Sequence, residues 1–256
     1  MADYLLFRLY GPLASWGDQA VGERRPDRLH PSRSGVLGLL AAALGVPREE
    51  EGRLAAISQG YGLAVRMDAA GMLLRDYHTI QVPGSRRGVV HRTRRDELAG
   101  RKEDLNTILS SRDYHTDGLA TVCLWARAKA PHPLKELAEA LQQPVFTPYL
   151  GRKSCVLALP MAPRVVAADN LAKAFTDAAW KTEETKMLRA LLGWNEKELA
   201  KKNQEVLFYW DQDGVPGDLK VIQSTDPHDL SLSRKRWQFA QRREHMGQMA
   251  AAKTEG

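Results

Sequence analysis

Arginine clusters interleaved with aromatic residues are the groups in this 256-residue sequence best placed to do chemistry. Basic residues concentrate in three segments, 24–33, 86–102 and 234–243. Guanidinium groups neutralise phosphates, and aromatic rings stack on unpaired bases. A charge run alone is usually a solvated surface, but here aromatic residues accompany the runs, and the combination favours RNA binding. These aromatic residues are Trp16, Tyr77, Tyr114, Tyr149, Trp237 and Phe239.

Two short segments offer further groups for a phosphate. Residues 31–44 read PSRSGVLGLLAAAL, and Ser32 or Ser34 is placed to cap a helix whose free first amides form a ready anion site. The alternative for this segment is a core helix preceded by a solvated basic loop. Residues 149–154 read YLGRKS, in which Arg152 and Lys153 with a serine hydroxyl could clamp a phosphate. The alternative there is a turn that leads into a strand at 155–159.

Catalytic motifs are absent from the sequence. The seven histidines have no zinc-site spacing, and there is no nucleophile elbow, P-loop or dinucleotide fingerprint. We therefore expect neither metal nor cofactor. A metal-independent ribonuclease needs little more than a His, a Lys and a Tyr near the phosphate. Such a trio leaves no sequence signature, so this activity is the alternative to binding alone.

The composition indicates a basic protein with a substantial core. The formal charge is +6, which favours an anionic partner. Cys123 and Cys155 both lie in apolar runs, as buried thiols of a reducing compartment do. The first residues lack the basic region of a signal peptide, and the longest apolar run, 35–46, is too short to span a bilayer. We expect a soluble cytoplasmic protein.

The elements that position these groups follow from hydrophobic periodicity. Residues 4–10 alternate as a strand with Leu5, Phe7 and Leu9 on one face. The order of elements indicates an α+β fold with helices on one face of an antiparallel sheet. Further strands are predicted at 61–67, 72–82, 119–126 and 155–159, and helices at 31–44, 53–57 and 134–141.

Residues 83–111 interrupt this pattern. The segment is too basic for a core and too long for a simple turn, so we expect it to project from the sheet edge as a hairpin or flexible arm. It is flanked by two copies of the pentapeptide RDYHT, at 75–79 and 112–116. Five residues are too few for a structural repeat.

The last third of the chain is less regular. Helices are predicted at 182–192 and 195–202, the second with Asn195 and Glu198 as a capping box. Strands are predicted at 206–210 and 220–223. Residues 233–245 are basic and aromatic, and the tail after Gly247 has the composition of a disordered terminus.

Several of these motifs, taken in order, closely resemble the Cas-five family of CRISPR-associated proteins, the subunits of type I-E Cascade that bind the crRNA 5′ handle. The resemblance covers residues 1–160 and returns weakly at 237–240 and 243–244. The motifs are Gly11-Pro12, Ser15-Trp16-Gly17, PSRSGVLGLL at 31–40, RDYHT at 75–79 and TPYLGRKSC at 147–155.

The resemblance implies an RRM-like (ferredoxin-like) domain with a protruding basic β-hairpin thumb and a smaller C-terminal region. It implies a non-catalytic subunit that grips the 5′ handle of the crRNA and caps the complex backbone for antiviral defence. Its neighbours would be the backbone subunit CasC and the large subunit CasA, with target DNA reached through the complex. In the related type I-C subfamily, the corresponding protein cleaves precursor crRNA with a Tyr and a Lys-His pair, but this sequence has no Lys-His dipeptide.

Charge pattern and resemblance together define the predicted domains and the predicted RNA-binding residues. Residues 1–160 form the RRM-like domain with the thumb, and residues 161–256 form a C-terminal α/β extension with a disordered tail. The predicted RNA-binding residues are Trp16, Arg24, Arg25, Arg28, Arg33, Ser34, Arg75, Tyr77, His78, Arg86, Arg87, Arg92, Arg94, Arg95, Tyr149, Arg152 and Lys153.

Overall fold

A computed structural model describes residues 1–85, 88–178, 190, 193 and 206–250. Its α-helices are α1 (Arg33–Ala43), α2 (Glu51–Gly60), α3 (Arg94–Leu98), α4 (Leu134–Gln142) and α5 (Leu171–Asp177), with a short 3-10 turn at Lys102–Asp104. Its strands are β1 (Ala2–Tyr10), β2 (Leu13–Ala14), β3 (Arg24–Arg25), β4 (Tyr61–Ala69), β5 (Met72–Pro83), β6 (Leu105–Thr116), β7 (Leu119–Ala126), β8 (Arg164–Ala168), β9 (Leu207–Asp211), β10 (Leu219–Thr225), β11 (Leu230–Ser233), β12 (Gln238–Ala240) and β13 (Glu244–Met249).

A seven-stranded antiparallel sheet forms the centre of the fold, with the strand order β10-β13-β9-β4-β7-β1-β8. Its middle strands are nearly uniformly apolar, and β1 pairs with β7 from Tyr4↔Trp125 to Tyr10↔Leu119. Strands from both sides of residue 160 belong to this sheet, because β1 pairs with β8 and β4 pairs with β9.

Both faces of the sheet are covered. Leu5, Phe7 and Leu9 of β1 pack in a core with α1, α2 and α4, whereas Tyr4 and Leu6 pack in a second core with α5. The expectation of helices on one face is therefore corrected. The physical reason is that β1 and β7 carry large apolar side chains on both faces, and each face must be removed from water.

The first two thirds of the chain contain a β-α-β-β-α-β unit. Its strands are β1, β4, β7 and β8, and they lie in the sheet in the order β4-β7-β1-β8. Helices α1 and α2 connect the first two strands, and α4 connects the last two. The predicted helices and strands in this unit are confirmed apart from the strand at 155–159.

A long hairpin is inserted between β4 and β7. Strands β5 and β6 pair over twelve residues each, from Met72↔Thr116 to Pro83↔Leu105. Of the two predicted forms, the hairpin is therefore confirmed, with a stem that begins before residue 83 and ends after residue 111. It does not arise at a sheet edge, because β4 and β7 are neighbours in the middle of the sheet. Short strands β2 and β3 pair with β6 and attach the hairpin base to the segment after β1.

Residues 155–159 and the last third of the chain agree with the predicted elements only in part. Residues 155–159 form no regular strand; Leu150 N–H donates to the Cys155 carbonyl at 2.8 Å and Ala158 N–H to the Tyr10 carbonyl at 3.0 Å. The predicted strands at 206–210 and 220–223 are confirmed as β9 and β10. Strand β13 continues to Met249, two residues beyond Gly247. The predicted helices at 182–192 and 195–202, and the last six residues, fall outside the described residues, apart from Ala190.

Candidate nucleic-acid interface

The duplicated RDYHT pentapeptide lies on the two strands of the hairpin, and the register brings the Arg-Asp dipeptides of its two copies opposite each other. Arg75 on β5 is opposite Asp113 on β6, and Asp76 is opposite Arg112. The Arg75 guanidinium donates to both carboxylate oxygens of Asp113, at 2.7 and 3.0 Å. Hydrogen bonding from Arg75 lowers the pKa of Asp113. Antiparallel pairing of two Arg-Asp dipeptides therefore places opposite charges across the hairpin.

Arginines converge where the hairpin meets the rest of the protein. Strand β3 pairs in parallel with β6, which sets Arg24 beside Ser111 and Arg25 beside Arg112. Arg24 approaches the Asp113 carboxylate at 3.7 Å, and its side chain remains 64% exposed. We call Arg24, Arg25, Arg75, Arg112 and Arg152 the hairpin-root arginines.

The aromatic Tyr114 supports one of these arginines. The Arg152 guanidinium lies 4.5 Å from the centroid of the Tyr114 ring and donates to the Arg25 carbonyl at 3.5 Å. Its Nη1 atom is buried and has no hydrogen-bond partner among the described residues. Stacking on Tyr114 holds the Arg152 guanidinium in place at the root of the hairpin.

The hairpin tip presents basic side chains to solvent. Thr93 and Asp96 form a capping box that starts α3, in which no residue is buried. Arg92 and Arg95 are exposed, whereas Arg94 pairs with Glu97 and donates to the Gln81 carbonyl. On the stem, Tyr77 is 64% exposed and His78 pairs with Asp76. Predicted residues Arg86 and Arg87 lie outside the described residues.

Arg33, predicted to contact phosphate, is a buried structural residue. It is 2% exposed, and its guanidinium pairs with Asp211 and donates to the carbonyls of Ser58 at 2.6 Å and Tyr61 at 2.7 Å. Burial lowers the pKa of this guanidinium, and the charge of Asp211 opposes that shift. The prediction for the Arg33 side chain is therefore wrong, because buried acceptors already use its donors.

The first backbone amides of α1 are also bonded to groups of the protein itself. Ser32 is the N-cap, and its hydroxyl accepts from Gly35 N–H at 3.2 Å, which confirms one of the two predicted caps. Asp229 accepts from the backbone N–H of Arg33 at 2.8 Å. A carboxylate of the chain thus occupies the helix terminus at which the sequence predicted a phosphate, and it satisfies the same dipole.

An ionic network joins these groups to the C-terminal strands. Asp211 accepts from Arg127 at 3.1 Å and from Arg242 at 2.9 Å, in addition to its pair with Arg33. Arg242 also pairs with Asp229 and Glu244. Apart from Arg127, these side chains are almost fully buried. We call Arg33, Arg127, Asp211, Asp229, Arg242 and Glu244 the buried ionic network.

A groove of about 620 Å³ runs along the exposed side of α1. Four predicted residues line it, namely Trp16, Arg28, Ser34 and Tyr149. The groove is also lined by residues that are not among those predicted to bind RNA, three of them from the basic aromatic segment 234–243. They include Arg48, Phe146, Arg234, Trp237 and Phe239. We call this feature the α1 groove.

The loop at 149–154 forms one end of the α1 groove. Gly151 has φ +83°, and a Cβ there would lie 1.8 Å from the Ser15 carbonyl oxygen. The glycine is therefore required for packing of this loop against the Ser15-Trp16 backbone. Arg152 is half-buried against Tyr114, and Lys153 is exposed.

The histidines are divided among separate environments. His30 stacks on Tyr209 with centroids 3.7 Å apart and contacts Glu244 at 3.2 Å. His115 contacts Asp27 at 2.9 Å, and His132 contacts Glu136 at 2.8 Å. Across the described part of the chain, no three His, Cys, Asp or Glu side chains are grouped as metal ligands are. No helix in the same residues is long and apolar enough to cross a membrane.

Comparison with known proteins connects this architecture to CRISPR systems. CRISPR system Cascade subunit CasD of Escherichia coli (strain K12) is 38% identical over 161 residues, which cover 63% of this chain and 70% of that protein. A chain from a structure described as a CRISPR RNA-guided surveillance complex superposes with a TM-score of 0.62 at 24% identity, covering 97% of this chain and 91% of that one. A chain from a crystal structure of a Cas protein superposes with a TM-score of 0.54 at 23% identity, and the match covers 95% of this chain and 93% of that one.

These two structural matches establish that the α+β fold is shared. The family model for CRISPR-associated protein (Cas_Cas5) matches residues 4–244, which is almost the whole chain. Together with the CasD identity, this match confirms the family indicated by the ordered sequence motifs, and the chain belongs to the CRISPR-associated Cas5 family.

Proposed function

We propose that this chain is a crRNA-binding subunit of a type I-E Cascade surveillance complex. In this role it grips the 5′ handle of the crRNA, caps one end of the complex backbone and contributes to antiviral defence. The identity to a Cascade subunit supports the assignment. The backbone subunit CasC and the large subunit CasA are its proposed neighbours, and target DNA is reached only through the complex.

The observation that carries this proposal is the set of hairpin-root arginines. The pairings of β3, β5 and β6 bring Arg24, Arg25, Arg75 and Arg112 to one end of the hairpin, where Arg152 lies on Tyr114. Asp113 accepts from Arg75 and lies 3.7 Å from Arg24. Arg25 and Arg112 are adjacent in the β3–β6 pairing, and like charges in adjacent positions repel. A polyanion bound at this surface would neutralise that repulsion.

The proposed domain architecture is RRM-like. The order β4-β7-β1-β8 of a β-α-β-β-α-β unit is the strand order of ferredoxin-like domains, and the hairpin is inserted where the thumb is expected. The proposed location is the cytoplasm. Cys123 and Cys155 support it as separate buried thiols, and burial raises the pKa of both.

RNA binding is tested by the salt dependence of affinity for single-stranded repeat RNA. Binding should weaken steeply between about 50 and 200 mM salt, because bound phosphates release counterions. Replacing Arg24 and Arg25 together with alanine should reduce the slope of log K against log salt by about 1.4, the contribution of about two phosphates on a single strand. Arg53→Ala is the control, since Arg53 on α2 is half-exposed and pairs with Glu50, the residue just before the helix. A flat salt dependence in the unsubstituted protein would contradict the proposal.

The subunit is proposed to be non-catalytic. Repeat RNA incubated with the purified protein in EDTA should remain intact on a denaturing gel. Cleavage in EDTA that is lost in His78→Ala or His115→Ala would support a metal-independent endoribonuclease in place of a structural subunit.

A further inference from the structure

We propose that the α1 groove binds one unpaired nucleotide, with its phosphate on Arg48 and Arg234 and its base on the aromatic side chains of the groove. This inference rests on the RNA-binding function proposed above, and it assigns a site distinct from the hairpin-root arginines.

The charge in the α1 groove is unbalanced. Asp18 and Asp229 both line it, but Asp18 pairs with Arg28 at 2.9 Å and Asp229 pairs with Arg242 at 2.7 Å. Arg48 and Arg234 form no ion pair with any carboxylate of the described residues. Burial and the nearby charge of Arg48 both lower the pKa of Arg234, as expected for two cations that share an enclosed site. An anion in the groove would compensate both guanidinium groups.

Aromatic rings lie beside these two cations. The Arg48 guanidinium is 5.6 Å from the ring centroid of Trp237, and that of Arg234 is 5.6 Å from the ring centroid of Phe239. Trp16 and Tyr149 line the same groove. Base stacking on aromatic side chains together with guanidinium–phosphate contacts is the chemistry of single-stranded nucleic-acid sites. A groove of about 620 Å³ lies within the range of small-ligand sites.

Trp237 is held in an unfavourable conformation. Its φ is +51°, a region that residues with a bulky side chain rarely adopt, and it is 62% exposed. Neither backbone preference nor burial explains a tryptophan here. Strain of this kind is found at ligand sites, where the surrounding structure maintains it.

The wall that carries Trp237 is fixed by contacts to α1 and α2. Glu51 at the start of α2 accepts from Ser233 Oγ and from Lys235 N–H, and these hydrogen bonds lower the pKa of Glu51. Arg234 donates to the Ser34 carbonyl at 2.8 Å. The turn between β11 and β12 is thereby held over the α1 groove, so a ligand meets a preorganised surface.

The proposal is tested with two substitutions at Trp237 and one at Arg48, with Arg53→Ala as the control. Trp237→Gly removes the ring and suits the positive φ, so its melting temperature should equal or exceed that of the unsubstituted protein. Its affinity for an oligouridine octamer should fall about tenfold through the loss of one stacked base. Trp237→Phe should retain most of the affinity, and Arg48→Ala should reduce it, whereas Arg53→Ala should not.

Photocross-linking locates the contact. An octamer of 5-bromouridine, irradiated with the full chain, should form adducts in the peptides that contain Trp237 or Trp16, and Trp237→Gly should abolish the first. If the octamer binds but cross-links only to residues 72–116, and Trp237→Gly binds normally, the groove assignment is overturned while the proposed function stands. Suppression of this adduct by a glutamate octapeptide of equal charge, present during irradiation, would identify an acidic peptide as the occupant and would also overturn the assignment. Failure of the unsubstituted protein to bind RNA would contradict both proposals.

Discussion

At the scale of single residues, burial and partners decide what an arginine does. Arg33 and Arg24 lie nine positions apart in the same basic segment. Arg33 is buried, and its guanidinium donates to Asp211 and to two backbone carbonyls. Arg24 is largely exposed beside Asp113. Identical side chains therefore have a structural role in one case and a proposed ligand-binding role in the other.

Arg33→Ala should destabilise the protein severely. The substitution leaves the Ser58 and Tyr61 carbonyls unsatisfied and removes one cation from the buried Asp211, so the free energy of unfolding should fall by about 3 to 5 kcal/mol. Urea denaturation measures the change. Arg53→Ala, which breaks an exposed pair, should cost less than about 1 kcal/mol. Equal stabilities of the two variants would show that the buried ionic network is not a major stabilising feature.

Glu244 should make stability depend on pH in the acid range. Burial alone would raise the pKa of this carboxyl, but the hydrogen bond and charge of His30, together with Arg242, outweigh burial and lower the pKa to about 2 from an ordinary value of 4.5. Because the folded-state pKa is depressed, the stabilisation is complete above about pH 5 and is lost as the pH falls towards 2. It amounts to about 3 kcal/mol.

Thermal unfolding between pH 2 and pH 7 tests this dependence. Glu244→Gln should be less stable than the unsubstituted protein at pH 6, and the difference should shrink as the pH approaches 2. Glu136→Gln is the control, because Glu136 also pairs with a histidine but is half-exposed. A constant difference across the whole range would contradict the assignment to Glu244.

At the scale of elements, the hairpin combines a regular stem with an exposed tip. Twelve residues of β5 pair with twelve of β6, and Gly84 N–H donates to the Asp104 carbonyl at the end of the stem. Every described residue from 88 to 104 is exposed or half-buried. The tip therefore contributes little to the stability of the fold, and its charge is available to a partner.

Replacing residues 84–102 with a short Gly-Ser linker should leave the melting temperature nearly unchanged, because the ends of the stem are already adjacent. The same variant should fail to assemble on crRNA with CasC, as measured by size-exclusion chromatography and by nuclease protection of the guide. A second variant, in which Arg92, Arg94 and Arg95 are replaced with alanine, keeps the length of the tip but removes three of its charges. It therefore separates the effect of charge on assembly from the effect of shape. Normal assembly of the shortened protein would indicate that the tip is a solvated loop.

At the scale of the whole molecule, the C-terminal strands complete the sheet and the α1 groove. Strand β9 covers the edge of β4, and the buried ionic network crosses between Arg33 and Arg127 on one side and Asp211 and Arg242 on the other. Residues distant in sequence are thus required to neutralise one another. We expect the two parts of the chain to unfold together.

A fragment of residues 1–168 should lack a cooperative unfolding transition at the temperature at which residues 1–250 unfold. It retains β1, β4, β7 and β8 but exposes the edge of β4 and leaves Arg33 without Asp211. Differential scanning calorimetry of the two fragments makes the comparison. Unfolding of both at the same temperature would show that the first 168 residues are an independent domain.

The sequence by itself determined the elements that local patterns specify. The strand β1 was predicted from its alternation, and the helices α1 and α4 from the spacing of their apolar residues. The hairpin was predicted from its polar, glycine-containing insert. Each of these patterns depends on residues within a few positions of one another. The ordered motifs also predicted the family. A serine cap at Ser32 or Ser34 was predicted for the same local reason, and Ser32 is the N-cap.

Tertiary structure alone decided which polar groups remain available. Asp229 lies 196 positions from the Arg33 amide that it caps, and Asp211 lies 178 positions from the guanidinium that it neutralises. That Arg75 and Asp113, from the two copies of the pentapeptide, lie opposite each other follows only from the register of the hairpin. The partner of a charged side chain is set by which distant segments pack together, and a local sequence pattern carries no information about that packing.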